Sequence, residues 1–216
     1  MVNDPWPWFG MLHGPEYSVA ELVGNGTLSA EAAEVLRVGL QGGASLFVAA
    51  GPQGAGKSTL ATAVLEFLPP EAQVYVTSGA RDPLAVPTVG GPVYLLINEL
   101  SWHMPLYLHG PAAQRAFVLL AQGVRMVGTV HATSIAGAVQ AICAEAEVEP
   151  SAISAPMLIA VVHAARGADW TVERRLAEIG FLEPRAGEPP TVLTLASGQP
   201  LEVHADALSR LAGWLG

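Results

Sequence analysis

Lys57 is the only lysine in the 216-residue chain, and it closes the run Gly51-Pro52-Gln53-Gly54-Ala55-Gly56-Lys57-Ser58. The run fits G-x-x-x-x-G-K-[ST], a pattern whose chemistry is the cradling of phosphate oxygens. Glycines at 51, 54 and 56 permit a tight turn and positive φ, so that successive N–H groups, that of Ala55 among them, converge on an anion without a Cβ in the way. Lys57 brings a mobile ammonium for the β- and γ-phosphates, and the Ser58 hydroxyl offers one Mg²⁺ coordination position. Thr59 adds a hydroxyl for the α-phosphate. A guanine-selecting Asn/Thr-Lys-x-Asp run needs a second lysine, which the chain lacks, so ATP with Mg²⁺ is the expected ligand.

Two further groups belong to the same chemistry. The apolar run Val93 to Ile97 ends in Asn98-Glu99, and a carboxylate at a strand end beside the phosphate loop can orient an attacking water or hold Mg²⁺ through a water. The run Val124 to Val130 delivers Thr129 and His131 to the same edge. A histidine at a strand end is as often a satisfied structural residue as a functional one, and the residues alone leave both readings open for His131.

The elements around these groups read as alternating strands and helices. Strand-like runs recur at 45–50, 73–77, 93–98 and 124–130, with helical patterns at 58–68, 111–122 and 134–145. Ser29 is a candidate N-cap for a helix to Leu40 that ends at Gly42-Gly43. Near-continuous apolar strands between helices predict an α/β fold: a mostly parallel sheet covered on both faces. Beyond it, 157–163 and 171–179 flank Gly167-Ala168-Asp169-Trp170 as a hairpin, although the second run also fits a helix. Glu183–Pro190 reads as a loop before a second hairpin, 191–195 with 201–204, and a short helix over 205–215. The expected organisation is an irregular arm over 1–16 whose Trp6, Trp8 and Phe9 pack on the domain, a nucleotide-binding domain over 17–186, and the appended segment 187–216.

Composition narrows the function further. With 51% hydrophobic and 13% charged residues the chain can bury a substantial core. A formal charge of −9 without a basic cluster excludes stand-alone nucleic-acid binding, since only Arg174-Arg175 are adjacent cations. Cys143 has no partner cysteine, which points to a reducing, cytoplasmic setting. No basic region precedes an apolar one at the start, and no apolar run is long enough to span a bilayer, so membrane association is expected to be peripheral and through partners.

Taken in order, four stretches resemble the type II and type IV secretion ATPases, the traffic ATPases of pilus assembly, protein export and DNA transfer. They are the approach helix, strand and phosphate loop from Tyr17 to Thr59; "VYLLINEL" with Glu99; the histidine box "GTVHATSIAGAVQAI" from Gly128 to Ile142; and the closing hairpin from Met157 to Leu182. The resemblance implies a RecA-like P-loop NTPase domain with a C-terminal hairpin extension and Mg-dependent ATP hydrolysis. It gives catalytic roles to Lys57, Glu99 and His131, the last as a sensor of nucleotide state. It also implies a homo-oligomer, hexameric in that family, or contact with secretion-machinery proteins.

The departures are specific. The family's acidic box is reduced to Asp82-Pro83, preceded by Arg81, and the Lys57–Glu99 span is short enough to lose a helix whose arginines serve nucleotide binding between subunits. Leu100-Ser101-Trp102 stands where an arginine commonly follows the glutamate, and the 16 residues ahead of Tyr17 are too few for the family's N-terminal domain. Arg81, Arg115 and Arg125 are the substitute cations to test. Two other readings stand beside the ATPase: a nucleotide-gated binding module with little hydrolysis, and a small-molecule kinase, which an arginine-rich lid would have favoured.

Overall fold

The computed structural model describes residues 17–51, 54–87, 89–166, 171–198 and 200–215. The expectations for the 1–16 arm and for the turn 167–170 lie outside these residues.

Helix starts follow their caps. Ser18 and Glu21 form a reciprocal capping box at α1 (Val19–Gly24), and the Ser29 hydroxyl accepts from the Ala32 N–H at 3.1 Å to open α2 (Ala30–Gln41). After β1 (Ser45–Ala50) comes α3 (Lys57–Ala63), shorter than the predicted 58–68 helix. A single 3₁₀ turn, Val64–Phe67, completes that segment. The Thr62 hydroxyl turns back onto the Ser58 and Thr59 carbonyls, a contact that competes with regular α geometry just before the change. Then follow β2 (Gln73–Val76), β3 (Val93–Ile97), α4 (Gly110–Ala121), β4 (Arg125–His131) and α5 (Ile135–Ala146). The chain continues through β5 (Met157–Arg166), β6 (Val172–Arg185), β7 (Glu188–Ser197), β8 (Glu202–Val203) and α6 (Ala207–Leu215).

These strands form an eight-stranded sheet of order β2-β3-β4-β1-β5-β6-β7-β8. The five strands from β2 to β5 are mutually parallel, and β6, β7 and β8 add antiparallel. Alternation along β1 divides the core: Leu46, Val48 and Ala50 face α1, α2, α3 and α6, whereas Phe47 and Ala49 face α4 and α5. The chain leaves β1 toward one side of the sheet and returns on the other, so the carboxyl end of β1 is a switch point where a crevice opens.

The expected pairing of 157–163 with 171–179 is present as an antiparallel ladder from Met157↔Leu182 to Arg166↔Val172, with a register shift between Val161 and Val162, so the helical alternative for the second run falls away. One expectation is corrected. Glu183–Pro190 is no loop: β6 runs to Arg185, and the chain reverses at Ala186-Gly187 into β7. Pro189 and Pro190 are accommodated because the pairing jumps from Glu183↔Thr191 to Arg185↔Glu188, so neither proline sits at a paired ladder position.

Candidate nucleotide site

The sheet brings the predicted groups to one edge. β1, fully buried, ends at Ala50 and hands the chain to Gly51. A Cβ on Gly51 would fall 2.7 Å from the Thr133 side chain, so only glycine lets the loop start this close to the β4–α5 connection. Gly54 and Gly56 carry φ of +75° and +90°, and Gly56 is the residue from which α3 departs. Lys57 follows directly and is buried, Ser58 is exposed on the first turn, and Thr59 lies half-buried beside it.

Glu99 comes from the segment after β3. The Leu100 N–H donates to the Thr129 carbonyl at 2.9 Å and the Thr129 hydroxyl donates to the Asn98 carbonyl, which ties this segment to β4. The register Ala50↔His131 then sets His131 level with the start of the phosphate loop. As a result the Glu99 carboxylate, only 9% exposed, stands between two bases: Lys57 Nζ at 3.7 Å from Oε2 and His131 Nε2 at 3.2 Å from Oε1. His131 Nδ1 lies 3.1 Å from the Gly51 carbonyl. Nδ1–H donating to Gly51 leaves Nε2 as a bare lone pair against the carboxylate unless that nitrogen, or Glu99, also carries a proton.

Lys57 shows what the site lacks. Burial pulls its ammonium below the ordinary lysine range, and the attraction of Glu99 pushes it back only in part. One carboxylate at 3.7 Å does not replace the lost hydration, so a further anion in the loop would stabilise the charge. Ser58 and Glu99 face the same cleft, and among the described residues no cluster of three or more His, Cys, Asp or Glu could hold a metal by itself. So sparse a donor set fits Mg²⁺, which keeps waters and phosphate oxygens as its other ligands.

The cleft measures about 800 Å³ and is bounded by the α1–α2 loop at Asn25–Thr27, the phosphate loop, Glu99 and the start of β6. Three contributions to it were not assigned from sequence. Tyr17 stands at its rim, Tyr107 lines it near Glu99, and Arg174 and Arg175 enter from β6. The Leu176 N–H donates to the Thr27 carbonyl at 2.7 Å, which fastens β6 to the α1–α2 loop and closes that wall. The pair Arg174-Arg175 was visible as the only adjacent cations, but its place depended on the strand character of β6.

Other sequence candidates sit elsewhere. Arg125 begins β4, at the opposite end of the sheet from the phosphate loop, and donates to the Gly43 carbonyl at 2.6 Å. Asp82 is buried and holds its own loop together: it accepts from the Tyr75 hydroxyl, the Ser78 N–H and hydroxyl, and the Leu84 N–H. Arg81 and Arg115 are exposed. After Glu99, Trp102 stacks on His103 with ring centroids 4.6 Å apart, and His103 meets His131 edge-on at 6.4 Å.

No family model and no curated protein matches the chain. Among solved structures, it is similar to the ATPase DotB of Yersinia pseudotuberculosis at a TM-score of 0.50 and 12% identity, over 78% of this chain and 48% of that one. The Legionella pneumophila ATPase DotB gives 0.49 and 11% identity, over 78% and 51% of the two chains. The VirB11 ATPase of the Brucella suis type IV secretion system, solved with sulphate, gives 0.47 and 15%, over 74% and 55%. The chain spans about half the length of these structures. At 12% identity the likeness is one of architecture: over most of its described length this chain shares the α/β fold of the Yersinia DotB ATPase.

Proposed function

We propose that the chain is a RecA-like P-loop NTPase that binds ATP with Mg²⁺ in the cleft at Gly51–Thr59 and hydrolyses it, as an ATPase of the secretion and pilus-assembly type. The observation that carries this reading is the carboxylate of Glu99 held between Lys57 and His131 at the mouth of a loop with two positive-φ glycines.

Each residue then has a task. The loop N–H groups and Lys57 receive the phosphates, and the ammonium exchanges part of its attraction to Glu99 for the more highly charged tail. Glu99, relieved of Lys57, is able to accept a proton from water aligned with the terminal phosphorus. His131 fixes the second carboxylate oxygen and reports the change to the Gly51 carbonyl and to His103. Mg²⁺, when bound through the Ser58 hydroxyl and through a water on Glu99, supplies neutralisation of phosphate charge. Assembly of copies into a ring, or docking on secretion-machinery proteins at the inner face of a membrane, belongs to this proposal. No helix among the described residues is long and apolar enough to cross a membrane.

One observation favours a nucleotide-gated module with little turnover as the second reading. Arg125 is committed to the Gly43 carbonyl at the far end of the sheet, which leaves a lone chain short of the charge compensation that fast hydrolysis requires. Phosphate release measured alongside light scattering, with and without Mg-ATP, separates the two. Turnover that rises with assembly supports the ATPase; binding without turnover at any assembly state supports the module; absence of ATP binding overturns both.

A further inference from the structure

Arg174 occupies a place that its present contacts do not explain. It lies on β6, paired with Ala164 of β5, and its side chain crosses onto the phosphate loop. Its Nε donates to the Gly54 carbonyl at 3.0 Å, Nη1 lies 3.4 Å from the Val172 carbonyl, and its Cδ would be 2.9 Å from a Cβ on Gly56. Arg37, Arg175, Arg185 and Arg210 each pair with a carboxylate, in a chain of formal charge −9. No carboxylate among the described residues lies within ion-pair distance of Arg174. A carbonyl acceptor requires a donor but no charge, so a neutral amide would serve Gly54 equally well. The guanidinium instead presents a planar fork of donors in the cleft that Lys57, Ser58 and Thr59 share.

We infer that Arg174 is a phosphate-binding residue, supplied by β6 of the same chain, that exchanges the Gly54 carbonyl for the phosphate tail of a bound nucleoside triphosphate. The inference rests on the nucleotide reading above and deepens it. Hydrogen bonds from a cation to an anionic oxygen are roughly twice as strong as those to a neutral acceptor, so the arriving phosphate wins the guanidinium from Gly54. The exchange also releases the backbone at Gly54, which is then free to turn its neighbouring N–H groups inward. Discrimination follows: the more phosphate charge a ligand carries, the more it gains from Arg174.

The test is an equilibrium titration of Mg-ATP, ADP and adenosine into the unaltered chain, Arg174→Gln and Arg174→Lys, at a protein concentration where light scattering shows single chains. Glutamine keeps a donor for Gly54 and removes the charge. Arg174→Gln is expected to weaken ATP about tenfold, ADP less and adenosine not at all, with an unchanged ligand-free melting temperature and with Arg174→Lys recovering part of the loss. Equal ATP affinity in Arg174→Gln and the unaltered chain overturns the inference. So does a uniform loss for all three ligands together with a lower melting temperature, which would make Arg174 a latch for the loop. An effect confined to assembled protein overturns the same-chain assignment. If the unaltered chain binds no ATP, the nucleotide reading itself falls and the inference with it.

Discussion

Two buried carboxylates follow neighbouring parallel strands, and they are held in opposite ways. Asp82, after β2, accepts from four donors, a phenol, a hydroxyl and two backbone N–H groups, all from β2 or the loop that follows it. Glu99, after β3, has two cationic or protonatable partners from other elements, at 3.2 and 3.7 Å. The first arrangement uses up the acceptor capacity of the group and pins a loop in which Leu84 has a φ of +48°. The second leaves the carboxylate with partners that a ligand can take away. Burial is common to the two acids, and what separates them is whether their partners can be displaced.

The comparison can be broken most sharply at Glu99. Glu99→Gln is expected to lower ATP turnover by about 10²–10⁴ while ATP affinity stays within about threefold, read by phosphate release and by titration. A variant that turns over at the parent rate would show that another group aligns the water. Lys57→Ala comes next, with a loss of about 100-fold in ATP affinity, because the loop loses its buried cation. On the other side, Asp82→Ala is expected to cost about 2–3 kcal/mol of stability, since buried donors lose their acceptor, and to leave ATP affinity per folded molecule unchanged. Denaturant unfolding measures the first part. An Asp82→Ala protein that is fully stable but has lost ATP binding would reverse the assignment of the two acids.

His131→Ala is expected to reduce turnover by about tenfold, with ATP binding retained and little loss of stability, because the ring is 42% exposed and not part of the core. Extensive unfolding of this variant would make His131 a structural residue. The smallest effect, nil at neutral pH, concerns the tyrosines. Burial pushes the Tyr94 phenol, which donates to the Leu40 carbonyl, up to about 12 from 10.0. Burial and then the Asp82 hydrogen bond do the same for Tyr75. Because the folded form holds these protons more tightly than the unfolded one, the stabilisation is complete below pH 10 and is lost as pH rises to about 12. Denaturant unfolding across that window should show the decline, and Tyr94→Phe should flatten it.

Much of the site was legible because its chemistry is written in contiguous residues. The loop 51–58, the glutamate closing β3 and the histidine closing β4 each carry their own strand signal, and parallel strands must deliver their ends to one edge. The Ser29 cap was equally local. What escaped reading depends on long-range pairing. Arg174 reaches the phosphate loop only because β6 pairs with β5, and the 171–179 run has no periodicity that separates strand from helix. Pro189-Pro190 signal a loop locally, yet a register shift lets them lie within a hairpin. Nor do the residues beside Asp82 announce its four hydrogen bonds, which form only when β2 and the following loop fold around it.

The most direct test is a crystal structure of the Glu99→Gln chain with Mg²⁺ and ATP. The account predicts a triphosphate in the bend at Gly54–Gly56, with Lys57 Nζ moved from residue 99 onto its oxygens. An empty bend at saturating nucleotide, with Lys57 still turned toward residue 99, would contradict it.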